Sequence, residues 1–225
     1  MEFKERARDS FDVQTMIRSK VFGMNSKTMS TRNIAFIGIM GALGNVLSWI
    51  SISLAPLLPE IPLGPFSVGI ALDLSHLTTF ITALYGGPTI GGLTGLIGGL
   101  IAANEFGFSK GNLVNGFLLP VGKMLTGITS GLIMRSLGIQ NRNRYRILII
   151  VSTLLAYIPE AIFTALIFLS ILPMVYGTPV FILYPILVGI LIKAFIEMFA
   201  IGVVLVALSM NRGFTDFVGS YFTAS

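Results

Sequence analysis

Six ionisable side chains stand in stretches made otherwise of Val, Ile, Leu, Phe, Ala and Gly: Asp73, His76, Lys123, Glu160, Lys193 and Glu197. In hydrocarbon each charge costs roughly 2.5–3.5 kcal/mol at the bilayer centre, so such groups persist where they pair or meet a polar solute. Lys193 and Glu197 are four apart on one helix face and can pair, with lysine first the weaker orientation. Asp73 and His76 are three apart, so the carboxylate can accept from the imidazole. Lys123 and Glu160 lie in successive apolar stretches and can face each other. Pro120 and Pro159 stand close to these charges, and a proline inside a helix frees a carbonyl that other groups must satisfy. Three acids nearly balance two lysines, so structural pairing is one reading. Solute binding by one or two of the six, with the rest paired, is the other. Asn112, Asn115 and Tyr184, with Trp49 and Tyr176, either extend a polar and aromatic lining or are ordinary residues of the membrane interface.

The same inventory narrows the chemistry. There is no cysteine and only one histidine, so neither a thiolate nor a His-rich metal site is expected, and no cofactor is implied. Gly116-Phe-Leu-Leu-Pro-Val-Gly122-Lys123-Met124 faintly resembles a phosphate-binding loop. It has one residue too many between the glycines, and Met where Ser or Thr must hold magnesium. No His-Glu-x-x-His or Gly-x-Ser-x-Gly stretch occurs. The expectation is a protein that is not an enzyme and has no catalytic residues.

The elements that carry these groups must be membrane helices. The chain is 54% hydrophobic and 11% charged, with mean hydropathy +0.86, whereas a soluble domain carries about 25% charged residues to cover its surface. At about 20 apolar residues per crossing, the spans read as 33–54, 66–85, 87–104, 113–135, 147–171 and 180–209. The first 32 residues are too long and too mixed for a signal-peptide n-region, and the apolar stretch after them is too long for an h-region, so the first span is read as a retained helix. Lys4, Arg6, Arg8, Arg18, Lys20, Lys27 and Arg32 precede it; Arg135, Arg142, Arg144 and Arg146 lie between the fourth and fifth spans; Arg212 follows the sixth. Those twelve face a single Lys110 on the opposite side. The positive-inside bias puts both ends in the cytoplasm and requires an even number of spans. The basic net charge thus reads as membrane topology, with no nucleic-acid partner. The expected architecture is an all-α integral membrane protein of the cell membrane: a cytoplasmic arm at 1–32, a six-helix bundle at 33–209 and a cytoplasmic tail at 210–225. Phe3, Ala7 and Phe11 have the spacing of a surface-lying helix, and a solvated tail is the equal alternative.

Small residues recur in steps of four at Gly87, Gly91, Gly95, Gly99 and Ala103, with Gly127 and Gly131 on the next span and Gly38 with Ala42 on the first. Such stripes let helices approach closely; on the third span internal packing is expected, on the first span packing or a partner surface. Between the first two spans, Pro56, Pro59, Pro62 and Pro65 fall every three residues, the period of polyproline II. The loop is read as a stiff lid over a cavity mouth, or as a rigid connector.

Taken together, Ala35-Phe-Ile-Gly38-Ile-Met-Gly41-Ala42-Leu-Gly44-Asn45, Leu72-Asp73-Leu74-Ser75-His76, Ala83-Leu84-Tyr85-Gly86-Gly87-Pro88, Gly95-Leu-Ile-Gly98-Gly99 and Gly122-Lys123-Met-Leu-Thr126-Gly127 resemble the substrate-binding (S) component of energy-coupling factor transporters, the vitamin-uptake branch of the ABC superfamily. The resemblance covers about residues 30–210. It implies a six-helix bundle that binds a vitamin or similar micronutrient near the outer side, with the first outside loop as lid. It also implies docking on a transmembrane coupling subunit driven by two ATPase subunits. The family's Ala-x-x-x-Ala docking motif is approximated by Gly38-x-x-x-Ala42, with Ala35 one turn earlier. The expected substrate-binding residues are Lys123, Glu160, Asp73, His76, Lys193, Glu197, Asn112, Asn115 and Tyr184. A self-sufficient proton- or sodium-coupled transporter, and a membrane scaffold that moves nothing, are the alternatives.

Overall fold

Ser30 starts the first helix among the described residues: its side chain accepts from the Asn33 amide, one of the donors that a helix N-terminus leaves unpaired. Helix α1 (Thr31–Leu54) then runs 24 residues and buries one face, Phe36, Ile37, Met40, Gly41, Gly44, Ser48 and Ser51. The computed structural model describes residues 29–57, 60–63, 66–69, 72–139 and 146–222. The amphipathic reading of the arm at Phe3, Ala7 and Phe11, and the loop arginines Arg142 and Arg144, lie outside those residues.

A short antiparallel hairpin follows, β1 (Glu60–Leu63) with β2 (Phe66–Gly69), in the register Glu60↔Gly69 to Leu63↔Phe66. This corrects two expectations. The proline loop is not polyproline II throughout, because Pro62 sits within β1 opposite Ser67. The second helix does not begin at residue 66; α2 spans Ser75–Gly86. At the start of α2 the Asp73 carboxylate accepts from the Ser75 amide at 3.0 Å, and the Leu74 amide donates to Ser51 Oγ at 3.3 Å. Local capping therefore sets the boundary where apolarity alone does not.

A glycine turn at Gly87, whose φ of +83° suits a residue without Cβ, leads into α3 (Pro88–Gly98). Helix α3 breaks at Gly99 and resumes as α4 (Leu100–Phe106), so the third expected span is a discontinuous helix. Asn45 of α1 bridges the break. Its amide nitrogen donates to the Ile97 carbonyl at 2.8 Å, and its oxygen accepts from the Ile101 amide at 2.9 Å. Those are the two groups that would have bonded each other in an unbroken helix. In an apolar surrounding, such freed groups require a substitute partner.

Helix α5 (Leu113–Ser136) and helix α6 (Arg146–Leu166) are joined across the loop read as cytoplasmic. Helix α6 passes through a π-helical turn at Ile167–Ile171 into α7 (Leu172–Tyr176). Helix α8 (Val180–Met210) is 31 residues long, and α9 (Arg212–Gly219) folds where a tail was expected, capped by Asn211 on the Phe214 amide. Among the described residues, four helical segments are long and apolar enough to cross a membrane: Thr31–Leu57, Leu113–Ser136, Arg146–Tyr176 and Val180–Met210. Helix α2, at 12 residues, reaches only about 18 Å at 1.5 Å per residue, short of the roughly 30 Å hydrocarbon core.

Helices α1, α2 and α5 all pack on α3. The glycine stripe explains how. A Cβ at Gly91 would stand 2.6 Å from Ala83 Cβ, and one at Gly92 would stand 2.6 Å from Ile128 Cγ1. Gly127 lies on the Gly91 backbone and Gly131 on that of Pro88. The α3–α5 contact is thus backbone against backbone. On α1 the small residues divide: Gly41 and Gly44 face α3 and α2, whereas a Cβ at Gly38 would meet nothing.

The two ends of the described chain meet. The Arg32 guanidinium donates to the Ser220 carbonyl at 2.7 Å and lies over the Tyr221 ring. Phe36 stacks on Tyr221 and Phe222 with centroids 4.9 and 5.1 Å apart. Tyr85 packs edge-on against Phe214, and its hydroxyl is 3.3 Å from Thr215 Oγ1. Helix α9 therefore closes one end of the bundle across α1, α2 and α8.

Substituting Gly91→Val should destabilise the bundle by about 1–3 kcal/mol through overpacking, whereas Gly38→Val should leave it unchanged. Thermal unfolding of the two variants in detergent, followed by size-exclusion chromatography, reads the difference.

Candidate functional site

Helices α2, α5, α6 and α8, with Asp73 just ahead of α2, carry the six ionisable groups, and the fold brings all six into one interior region. Proline and glycine prepare the approach. Pro120 interrupts α5 one turn before Lys123, and Pro159 interrupts α6 immediately before Glu160. Gly122 leaves room for Glu160, since a Cβ there would stand 3.3 Å from Glu160 Cγ. Gly95 of α3 lies directly on the Lys123 carbonyl, which fixes the height of the lysine in the bundle.

Lys123 is the centre. Only 5% exposed, its ammonium is 2.8 Å from Asp73 Oδ2 and also donates to Ser75 Oγ. A hydrogen bond between ionised partners is about twice as strong as a neutral one. Asp73 is bound on every side: Oδ1 takes the Ser75 amide, and its own backbone N–H donates to Glu197 Oε1 at 2.9 Å. Glu197 in turn is 3.6 Å from Lys193 Nζ, an ion pair without a hydrogen bond. Lys193, Glu197, Asp73, Lys123 and Ser75 thus form one connected chain across three helices.

A second group lies beside it. Glu160 Oε2 accepts from the Thr126 hydroxyl, and Glu160 Oε1 is 3.9 Å from His76 Nε2. Glu160 and His76 are 8% and 5% exposed. Among the described residues, His76 Nδ1 is buried with no hydrogen-bond partner, a state that costs roughly 1–3 kcal/mol unless something else meets it. Exposure is graded across the assembly: Asp73 and Lys193 are partly open, while Lys123, His76, Glu160 and Glu197 are buried.

The pairings differ from those expected. Lys193–Glu197 forms as the spacing indicates. Asp73 pairs with Lys123 instead of His76, and Glu160 meets Thr126 and His76 instead of Lys123. The reason is that Asp73 precedes α2, where its carboxylate caps the helix and turns toward α5. His76, the second residue of the helix, is carried toward α6.

Asn112, Asn115 and Tyr184 do not join the cluster. The Asn112 side chain caps α5 by accepting from the Asn115 amide at 3.0 Å, and the Tyr176 hydroxyl accepts from the Leu113 amide at 2.9 Å. Tyr184 and Trp49 are 58% and 61% exposed. The outer lining expected from these residues is a helix cap and a set of outward-facing aromatics. Ala35, Gly38 and Ala42 all lie on the exposed side of α1.

Two partners escaped the sequence reading, Ser75 and Thr126, as did the neighbouring Tyr157. Thr126 is three residues from Lys123, and Tyr157 three from Glu160, so each shares a helix face with a residue already singled out. Tyr157 is buried and packs edge-on against Phe195, with centroids 5.4 Å apart. Among the described residues, no group of three or more His, Cys, Asp or Glu is placed to hold a metal ion. The arrangement can bind a small polar or charged molecule by hydrogen bonds and ion pairing, and can pass protons between neighbouring groups.

No protein-family model matches the chain, and no curated protein matches its sequence.

Lys123→Met should destabilise the protein by about 3–5 kcal/mol, the usual cost of stranding one member of a buried pair. Adding Asp73→Asn should recover much of that loss. A double-mutant cycle on thermal stability in detergent measures the coupling.

Proposed function

We propose that this chain captures a small solute inside the membrane and serves as the substrate-binding subunit of an energy-coupling factor type importer. The observation that carries the proposal is the convergence of Asp73, His76, Lys123, Glu160, Lys193 and Glu197 on one interior region, shared by four helices. Charges retained for packing alone would be satisfied pairwise. Here His76 Nδ1 is buried with no hydrogen-bond partner among the described residues, Glu160 Oε1 has only the imidazole at 3.9 Å, and Lys193 meets Glu197 without a hydrogen bond. The solute is a vitamin or similar micronutrient, received from the outer side and released inward when the subunit docks on a transmembrane coupling subunit driven by two ATPase subunits. Release then follows from a difference in affinity between the free and docked states.

In this reading the chain crosses the cell membrane six times with both ends in the cytoplasm. Two observations support it: the twelve-to-one asymmetry of basic residues and the contact of Arg32 with Ser220, which brings both ends of the bundle together and fits an even number of crossings. The short α2 and the discontinuous α3–α4 supply the second and third crossings, with the hairpin above α2 completing the second. Backbone that is neither helix nor closed sheet is tolerated at membrane depth when protein surrounds it. The exposed Ala35, Gly38 and Ala42 on α1 suit close approach by a partner helix.

The connected chain from Lys193 through Glu197 and Asp73 to Lys123 favours a second reading, a secondary transporter that moves protons with its solute. Acyl transfer by Ser75 and Lys123, a pairing used by some hydrolases, fits less well. Asp73 at 2.8 Å engages the ammonium that would have to act as base.

Lys123→Ala and Glu160→Ala should each reduce solute binding at least tenfold while the protein still inserts, measured as the small molecule retained by the detergent-solubilised chain. Normal binding in both would remove them from the site. Uptake in cells should stop when the partner ATPases are removed; uptake that survives their loss but collapses with the ion gradient would establish the second reading. Reporter fusions at residues 1 and 225 should both register cytoplasmic.

A further inference from the structure

Interior charge can be assigned residue by residue. Lys123 is engaged by Asp73 and Lys193 by Glu197, and each pair is neutral. Glu160 is the remaining carboxylate, 8% exposed, and among the described residues no third lysine or arginine pairs with it. With the three acids ionised and His76 neutral, the region holds one surplus negative charge. An uncompensated charge in an apolar interior is strongly unfavourable, so Glu160 either holds a proton or is met by a positive group.

The hydrogen-bonding state gives that group a chemistry. Glu160 Oε2 is filled by the Thr126 hydroxyl, while Glu160 Oε1 has only His76 Nε2 at 3.9 Å, beyond hydrogen-bond length. A neutral imidazole carries its proton on one nitrogen, and a carboxylate favours that proton on the nitrogen facing it. The proton is thereby assigned to Nε2, which leaves Nδ1 an acceptor. Nδ1 is the buried atom with no partner among the described residues. With Glu160 ionised, both unfilled atoms, Glu160 Oε1 and His76 Nδ1, are acceptors, and both call for donors.

We infer that the solute captured by this chain is an organic cation whose recognised end is a protonated, N–H-bearing nitrogen group, received by Glu160 with His76 beside it. Amidinium, aminopyrimidinium and primary ammonium groups fit. A carboxylate or phosphate end placed beside an ionised Glu160 would bring two negative charges together. Asp73 and Lys193 are the partly open members of the cluster, and such a molecule enters past them. This inference rests on the capture function proposed above and narrows its substrate.

The test uses the full chain, purified from membranes in mild detergent without added ligand. Bound small molecules are extracted and identified by mass spectrometry, alongside Glu160→Gln, which keeps the shape of the side chain and removes its charge. The expected result is a solute carrying a protonated nitrogen at neutral pH, with occupancy at least tenfold lower in a Glu160→Gln protein that still elutes as a single symmetric peak. If Glu160→Gln fails to fold, Glu160→Asp, which keeps the charge and withdraws it by one methylene, is scored by the same loss of occupancy. A neutral or anionic solute, or a cationic one retained equally by the folded variant, overturns the inference and leaves solute capture standing. A wild-type protein that retains no solute counts against capture itself.

Discussion

The Asp73–Lys123 ion pair organises the interior of this protein. It joins the start of α2 to the middle of α5, and through the Asp73 backbone amide it reaches Glu197 on α8. Lys123 is only 5% exposed, so its charge is tolerable only while Asp73 and Ser75 stay in place. That requirement propagates outward. Asp73 must hold its position before the first turn of α2, so the helix begins at Ser75, and the adjoining Leu74 amide is held by Ser51 near the end of α1. The height of Lys123 is fixed in turn by the contact of α5 on α3, where glycines on both helices bring the backbones together.

The same contact has a consequence for charge. A single lysine on α5 lies near two carboxylates, Asp73 and Glu160, and can fully compensate one. Asp73 takes it at 2.8 Å, and Glu160 is left with a threonine hydroxyl and a distant imidazole. Packing and polarity together thus produce a site in which one part is complete and another is not. Under the proposed capture function, such a site favours selective binding, because little has to reorganise when a ligand arrives.

Helix discontinuities are the second recurrent device. The break at Gly99 is bridged by Asn45, which substitutes for the missing backbone bond between Ile97 and Ile101. Pro120 and Pro159 interrupt α5 and α6 beside Lys123 and Glu160, and α6 continues through a π-helical turn. Each irregularity lies in a helix that packs on the charged region, and each frees backbone groups that only an interior of protein can satisfy. At the far end, α9 and its aromatic contacts with Phe36 and Tyr85 tie the last helix back to the first two.

The amino-acid sequence alone determined the solvent of this protein, the existence of its long apolar helices, the small-residue stripes on α3 and α5, and the identity of the six ionisable residues set among apolar ones. Composition and period are local properties, and each of these follows from counting along one segment. Lys193–Glu197 was legible for the same reason, since its partners share a helix. The tertiary structure alone decided that Asp73 meets Lys123, that His76 meets Glu160, and that Asn112 caps a helix while Tyr184 faces outward. It also decided that residues 66–69 form a strand and residues 212–219 a helix packed on α1 and α2. Those outcomes depend on the rotation and height of one helix against another. Helix rotation moves by 100° per residue, so an uncertainty of one or two residues in a boundary redirects every side chain on the face.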